Sequence, residues 1–277
     1  MTEPSKNIED INVDLFDLDQ FVADYDTHKG WNDIGEMAVL LSLASAVRGK
    51  PILDVGMGTG RTTPLLALLT DDYVGIDYAP NMVREAKAVL PGFDLRVGDV
   101  RNLREDFGDE SKALVFFSFN GLDCLDHATR PEALEQMAHV VAPGGYLVYS
   151  TLNLESPHPG KRPWTPPEPP PQRGIERPVR WTYRWLQWAL QMPSNLKNWR
   201  HAQSSRKAGD GWANEPSPGS HWQLILHFTT LARAKAEVAA TGLVLERVIT
   251  LDGVDVTNAD STDALYFYLV ARRPATA

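Results

Sequence analysis

Between Pro51 and Asn153, short apolar runs alternate with segments that have the spacing of a helix. This alternation is typical of βαβ units, in which helices connect parallel strands. The runs predict five strands at residues 52–55, 73–76, 95–97, 113–117 and 146–149. After residue 222, a helix that stops at Gly242 precedes two more strands, at 243–249 and 265–271. We therefore expect a three-layer α/β fold with a mostly parallel sheet.

A glycine-rich loop, DVGMGTG at residues 54–60, lies between the first strand and the next helix. Glycine lacks a Cβ, so such a loop can turn tightly and let a ligand lie against its backbone. Dinucleotide-binding loops read G-x-G-x-x-G, whereas Arg61 stands here where the third glycine would be. The spacing therefore disfavours NAD. The carboxylate of Asp54, just before the first glycine, could bind an ammonium group of a ligand directly or through water.

Further motifs occur at the ends of the predicted strands. Asp77 ends the second strand in YVGIDYAPNMV, Asp99 follows the third in RVGDVRNL, and Asn120 follows the fourth in FFSFNGLD. A Pro-Gly-Gly turn occurs at 143–145. Because these motifs occur together with the glycine loop, the chain resembles the class I, Rossmann-like S-adenosylmethionine-dependent methyltransferases that act on small molecules. The resemblance covers residues 35–153 and the tail after 222. The resemblance implies a seven-stranded sheet with an antiparallel last strand, S-adenosylmethionine as cofactor and S-adenosylhomocysteine as product.

The resemblance also implies roles for individual residues. Asp77 would accept both ribose hydroxyls, Met82 would cover the adenine, and Asp99 with the Val100 amide would meet the adenine amino group. Residues 21–31 resemble the cap helix of the family, in which a tyrosine contacts the methionine end of the cofactor. The implied cofactor-binding residues are Tyr25, Asp54, Gly56, Gly58, Gly60, Asp77, Tyr78, Met82, Asp99, Val100 and Asn120.

Acceptor residues are expected after the fourth and fifth strands, because ligands lie beyond the carboxyl ends of strands in such sheets. A hydroxyl or carbon acceptor usually needs a general base near the methyl group. Asp123 and His127 are the general-base candidates that we derive from this position. The candidates for binding the acceptor are Asn153, Trp181, Trp185 and His221.

Residues 154–222 form an insertion of different composition, with 12 of the 20 prolines and seven of the eight tryptophans. The insertion has ten Lys or Arg and five Asp or Glu residues, which give it a net charge of +5. The rest of the chain has 17 basic and 31 acidic residues and therefore a net charge of −14. Its second half predicts a helix with Trp181, Trp185, Trp188 and Met192 on one face. The insertion could be a lid over an aromatic or anionic acceptor, a packing or homodimer contact, or a peripheral membrane helix. The net charge of −9 disfavours the last.

These features predict four segments: a cap at 1–34, the cofactor-binding core at 35–153, the lid insertion at 154–222, and a helix with two strands at 223–277 that complete the core. We expect a cytoplasmic protein, because we see neither a leader peptide nor a run of about 20 apolar residues, and Cys124 is the one cysteine. The negative charge argues against nucleic acid as a partner. The expected partner is a small-molecule methyl acceptor, and no metal is expected. The alternatives are a non-catalytic cofactor-binding or interaction protein and an NAD-dependent oxidoreductase.

Overall fold

A computed structural model describes residues 7–26, 32–159, 161–169 and 176–275, with the backbone alone for 24–26 and 176. In this part of the chain ten strands form one sheet. The strands are β1 (Ile52–Val55), β2 (Tyr73–Asp77), β3 (Asp94–Val97), β4 (Lys112–Phe117), β5 (Val141–Asn153), β6 (Lys207–Gly209), β7 (Trp212–Pro216), β8 (Ile225–Thr229), β9 (Val244–Thr250) and β10 (Tyr266–Arg272).

The helices are α1 (Ile8–Phe16), α2 (Asp19–Asp26), α3 (Ile34–Val47), α4 (Thr63–Ala67), α5 (Pro80–Val89), α6 (Leu103–Phe107), α7 (Arg130–Val140), α8 (Glu176–Ala202) and α9 (Leu231–Ala240). Side chains cap the N-termini of α1, α3 and α9, whereas α4 to α7 begin without such a cap. Thr230 accepts a hydrogen bond from the Arg233 amide and so caps α9, as its position in the sequence suggests. No helix in the described ranges is both long and apolar enough to cross a membrane.

Seven of the strands form the core of the sheet, in the order β3-β2-β1-β4-β5-β10-β9. Strands β1 to β5 pair in parallel, and β10 is antiparallel to both β5 and β9. This arrangement confirms the expected Rossmann-like class, including the antiparallel last strand.

The sheet has three more strands than the seven that were expected. Strand β5 extends to Asn153, beyond the predicted end at 149, and its last two residues pair in parallel with Phe228 and Thr229 of β8. Strands β7 and β6 then add on in antiparallel order. Neither β7 (WANEP) nor β8 (ILHFT) has the apolar–polar alternation that identifies a strand in a sequence, and β6 has three residues, so local pattern does not indicate these strands.

The core consists of two apolar layers, one on each face of the sheet. Alternate residues of each strand point to opposite faces, as the two-residue period of a strand requires. Leu53 and Val115 pack on one side with α7 and α9, whereas Ile52 and Leu114 pack on the other side with α3 and α5. The carboxyl ends of β1 to β4 are thereby held side by side at one edge.

A buried ionic network joins the loop after β4 to the helices beside it. Arg130 is fully buried, and its guanidinium donates to Asp123 Oδ1 at 2.7 Å, Thr151 Oγ1 at 2.9 Å and Glu237 Oε2 at 3.0 Å. Asp123 Oδ2 accepts a further bond from the Leu152 amide at 2.6 Å. The network therefore connects α7, α9, β5 and the turn after β4.

We expect Arg130→Met to lower the free energy of unfolding by about 3–5 kcal/mol, because Asp123 would remain buried without its charged partner. The matched control is Arg96→Met. Arg96 pairs with Asp94 at 2.6 Å, but the side chains of this pair are 54% and 44% exposed. The control should lose at most about 1 kcal/mol in urea unfolding. Equal losses in the two variants would contradict the assigned role of Arg130.

Candidate functional site

A cleft lies at the carboxyl ends of β1 to β4, with about 720 Å³ of space including its opening to solvent. The glycine loop, the end of β2, the residues after β3 and the loop after β4 form its wall. Of the residues predicted from the sequence to bind a cofactor, the cleft is lined by Gly56, Gly58, Asp77, Tyr78, Met82, Asp99 and Val100.

The glycine loop follows a backbone path that favours glycine at two positions on the cleft. Gly56 and Gly58 have φ values of +62° and +59°, which cost other residues about 1–2 kcal/mol each. A Cβ on Gly56 would lie 2.4 Å from the ring of Phe117 in β4. A Cβ on Gly58 would meet no protein atom within 4 Å. Gly56 therefore allows close packing in the protein, whereas Gly58 leaves space in the cleft for a ligand.

Asp77 ties the end of β2 to the glycine loop. Its Oδ2 accepts a hydrogen bond from the Gly58 amide at 2.9 Å, and its Oδ1 accepts one from the Ala79 amide at 2.9 Å. Burial raises the pKa of Asp77 to about 6, against the lowering effect of these amides. A carboxylate offers about four lone-pair positions, so this side chain can accept two more hydrogen bonds from a ligand.

Asp99 supplies a second carboxylate on the cleft, just after β3. Burial acts to raise the pKa of Asp99, but hydrogen bonds from the side chain and amide of Arg101 outweigh burial and hold it below the usual range. The Arg101 amide donates to Asp99 Oδ1 at 2.9 Å, and its guanidinium binds both carboxylate oxygens. Asp99 is therefore ionised at neutral pH and can accept a ligand N–H beside Val100.

Asp54 is not among the described residues that line the cleft. It is 1% exposed, and its Oδ2 accepts hydrogen bonds from Thr62 Oγ1 at 2.7 Å and from the Tyr73 hydroxyl at 2.8 Å. Burial raises the pKa of Asp54 to about 7, against these two hydrogen bonds. The side chain holds the loop from behind, so a direct contact between Asp54 and a ligand ammonium has no support in this geometry. Gly60 also lies off the cleft, beside Leu90, which follows α5.

An ion pair that the sequence analysis did not identify joins the glycine loop to α3. The guanidinium of Arg61 binds both oxygens of the fully buried Glu36, at 2.6 and 2.8 Å. It also donates to Ser118 Oγ at 2.9 Å and lies 5.0 Å from the ring centroid of Phe119. Two sequence features could have indicated this pair: Arg61 replaces the third glycine, and Glu36 interrupts an apolar helix.

A second, larger cavity adjoins the cleft, with about 2,090 Å³ of space including its opening to solvent. Phe16, Phe119 and Cys124 line both spaces. At this boundary Phe119 and Asn120 have φ values of +53° and +62°, and backbone strain of this kind concentrates at functional sites. The backbone N–H of Asn120 donates to Ser150 Oγ at 2.7 Å. The side-chain oxygen Oδ1 of Asn120 is buried without a hydrogen-bond partner among the described residues. Asn120 thus presents a buried acceptor atom in the wall of the larger cavity.

The wall of the larger cavity is mainly apolar and partly aromatic. Phe21 and Tyr266 contribute rings to it in addition to Phe16 and Phe119. The predicted acceptor residue His221 lies in this wall, and so does His158, which the sequence analysis did not select. Burial lowers the pKa of His158. Its imidazole is therefore neutral at pH 7 and able to accept a proton.

The other predicted acceptor residues are not among the described residues of this wall. The side-chain amide of Asn153 donates to the carbonyls of Thr262 and Ala264, at 2.6 and 2.9 Å. Trp181 and Trp185 lie on α8, where Trp185 packs edge to face on Trp188. The side chain of Tyr25, in α2, lies outside the described residues.

The two predicted general bases have structural partners. Asp123 is fully buried in the network with Arg130. His127 stacks on Trp212 at 3.7 Å, shares a hydrogen bond of 3.0 Å with His227 and lies 3.1 Å from the Arg233 guanidinium. Within the described ranges, neither Asp123 nor His127 lines the cleft or the larger cavity. The structure therefore does not bring these two residues to the place where a general base would be needed.

Comparison with protein families and curated proteins agrees with this geometry. A family model described as a methyltransferase domain matches residues 52–145. A ubiquinone biosynthesis O-methyltransferase of Nitrosococcus oceani is 30% identical over 156 residues, which cover 52% of this chain and 64% of the relative. A demethylmenaquinone methyltransferase of Renibacterium salmoninarum is 32% identical over 116 residues, 42% of this chain and 46% of the relative. The chain thus spans less than two thirds of the length of either relative.

Solved structures show the same fold. An S-adenosylmethionine-dependent methyltransferase of Mesorhizobium loti matches with a TM-score of 0.55 and 18% identity, covering 85% of this chain and 98% of that chain. The 1,6-didemethyltoxoflavin-N1-methyltransferase of Burkholderia thailandensis, solved with 1,6-didemethyltoxoflavin and S-adenosylhomocysteine, matches with a TM-score of 0.55 and 13% identity, covering 99% and 93%. At these identities the likeness concerns the fold alone.

Proposed function

We propose that this chain is a class I S-adenosylmethionine-dependent methyltransferase, which transfers the methyl group of S-adenosylmethionine to a small molecule and releases S-adenosylhomocysteine. One observation carries the proposal. The cleft, with its glycine loop and two carboxylates at the ends of β2 and β3, borders a second cavity large enough for an acceptor. Two adjacent sites are what a transfer between two bound molecules requires.

The residues of the cleft fit this cofactor. Asp77 has two lone-pair positions to spare for the two ribose hydroxyls, and Asp99 is an ionised acceptor for the adenine amino group. Met82 is an apolar side chain in the wall against which adenine can pack. The absence of a Cβ at Gly58 leaves room for the ligand to approach the backbone.

The cofactor supplies a methyl group that is already activated on a sulfonium, so the reaction is an in-line displacement. The protein residues then act mainly by positioning. Phe16, Phe119 and Cys124 form an apolar boundary that excludes water between the two spaces. The unpaired Oδ1 of Asn120 accepts a hydrogen bond from a bound ligand at the boundary and fixes its orientation.

An aromatic, largely apolar acceptor suits the larger cavity, because four aromatic rings and several leucines form its wall. One curated relative is named as an O-methyltransferase of ubiquinone biosynthesis and the other as a demethylmenaquinone methyltransferase. Both names support the proposal of a ring-containing acceptor. His158 lines this wall with a neutral imidazole, which supports a proposed role for it in taking the proton of a hydroxyl acceptor. Asp123 and His127 are not proposed as the base, since their partners hold them outside this wall.

The two alternatives have less support. An NAD-dependent oxidoreductase would need a third glycine where Arg61 binds Glu36. A non-catalytic cofactor-binding protein would not need the larger cavity beside the cleft. Neither a family match nor a solved structure cited above is named for either class.

Gly58→Ala tests the cleft, with Gly49→Ala as its matched control. Both glycines have positive φ, +59° and +68°, and a Cβ on either would meet no protein atom within 4 Å. We therefore expect the same loss of stability in both variants, about 1–2 kcal/mol. Calorimetric titration with S-adenosylhomocysteine should show at least tenfold weaker binding for Gly58→Ala and unchanged binding for Gly49→Ala, because only the first methyl group enters the cleft. Unchanged binding in both variants would rule out this cleft as the cofactor site.

Asp77→Asn tests the carboxylate and its protonation. We expect the variant to bind S-adenosylhomocysteine more weakly by about 1–3 kcal/mol at pH 7.5, the scale for hydrogen bonds to a charged group. Since the pKa of Asp77 is raised to about 6, wild-type affinity should fall about fourfold between pH 7.5 and 5.5, as protonation removes a lone pair. Asp99, with its lowered pKa, stays ionised over this range. The affinity of the variant should not change with pH, and an equal pH dependence in both proteins would exclude Asp77 as its source.

A further inference from the structure

Five large apolar side chains of α8 are exposed to solvent, and all of them except Trp185 lie on one face of the helix. Val179, Tyr183, Leu186 and Leu190 are 70%, 61%, 55% and 67% exposed. Their spacing of four, three and four residues places them in a line along one face of the helix. We call these four residues the outer stripe. A contiguous apolar surface of this kind marks an interaction site more often than scattered exposed residues do.

The helix is attached to the rest of the protein by its other side. Asn195 is buried, and the Asn198 side chain donates to the His221 carbonyl at 3.0 Å. Trp199 packs edge to face on Trp164 at 5.2 Å. Trp188 lies about half a turn of rotation away from the outer stripe and is partly buried. The outer stripe therefore faces away from the sheet.

Basic side chains are exposed along α8, and three of them, Arg180, Lys197 and Arg200, lie within about a quarter turn of the outer stripe. Arg177 and Arg184 lie toward the opposite side, where the Arg184 guanidinium donates to the Glu168 carbonyl at 2.8 Å. Glu176 is the one acidic residue in the helix sequence. This local excess agrees with the net +5 of the insertion, in a chain whose remaining residues carry net −14.

An apolar face with exposed basic residues beside it, on a helix that also carries tryptophans, is the composition of helices that lie in the interface of an anionic bilayer. A second copy of the chain, pairing α8 with α8, fits the outer stripe less well. Both halves of α8 are basic, so parallel and antiparallel pairing of the two helices would each bring cations together. The acidic remainder of the chain would oppose membrane binding only over short distances, since salt screens charges beyond about 8–10 Å. We propose that the outer stripe of α8 binds the surface of an anionic lipid membrane.

His221 lines the space beside the attached side of α8 as well as the wall of the larger cavity. Helix α8 therefore stands between this cavity and a membrane bound at the outer stripe. Lipid binding at the outer stripe does not rest on the proposed function.

The test is flotation of the full chain with vesicles of phosphatidylcholine and phosphatidylglycerol, and with vesicles of phosphatidylcholine alone. Wild-type protein should bind the anionic vesicles at least tenfold better than the neutral ones, and high salt should weaken this binding. The double variant Leu186→Glu/Leu190→Glu should lose at least tenfold. Leu41→Glu/Leu68→Glu is the matched control, because these leucines are 70% and 73% exposed on α3 and just after α4. Its vesicle binding should equal that of the wild type, and circular dichroism should show that both variants are folded.

Three results would overturn the proposal: no binding of wild-type protein to anionic vesicles, equal losses in the two double variants, or a wild-type dimer that Leu186→Glu/Leu190→Glu converts to a monomer without any vesicle binding. In the last case the outer stripe is a subunit contact. The assay contains no cofactor, so its result is independent of methyl transfer. Vesicle binding together with a failure to bind S-adenosylhomocysteine would refute the proposed function alone.

Discussion

The hydrogen bond from the Gly58 amide to the Asp77 carboxylate is the contact on which the cleft depends. It joins the loop after β1 to the end of β2 at 2.9 Å, and the loop can reach that position because Gly56 and Gly58 adopt positive φ. The same contact fixes where the remaining lone pairs of Asp77 point. Burial then raises the pKa of this carboxyl to about 6, so the structure of the loop and the protonation of a proposed ligand contact are coupled.

Two buried ion pairs hold the surroundings of this contact in place. Arg61 with Glu36 joins the glycine loop to α3, and Arg130 with Asp123 joins α7 to the turn after β4. A buried charge is costly without a partner, so each pair fixes a geometry as much as it adds stability. Their effect is to hold the loop after β4 between two fixed points, where its residues Phe119 and Asn120 separate the cleft from the larger cavity.

The sequence was sufficient to predict the first four core strands to within a residue, and the resemblance to a family predicted the antiparallel last strand. Apolar runs between turn residues are local features, and so are the glycine spacing and the acids at strand ends. The sequence did not reveal β6 to β8, whose pairing depends on two residues at the end of a lengthened β5. Nor did it separate buried acids from those that face a ligand. Asp54 and Asp77 both lie within the last two residues of a strand, and only their tertiary partners distinguish them.

The central claim is that the cleft binds S-adenosylmethionine and its product. The most direct test is calorimetric titration of the wild-type chain with S-adenosylmethionine, S-adenosylhomocysteine and NAD under the same conditions. Saturable binding of the first two at one site, with no heat from NAD, is the result that this account predicts. Binding of NAD alone would contradict this claim and favour an NAD-dependent oxidoreductase. Binding of none of the three would contradict it and favour a non-catalytic interaction protein.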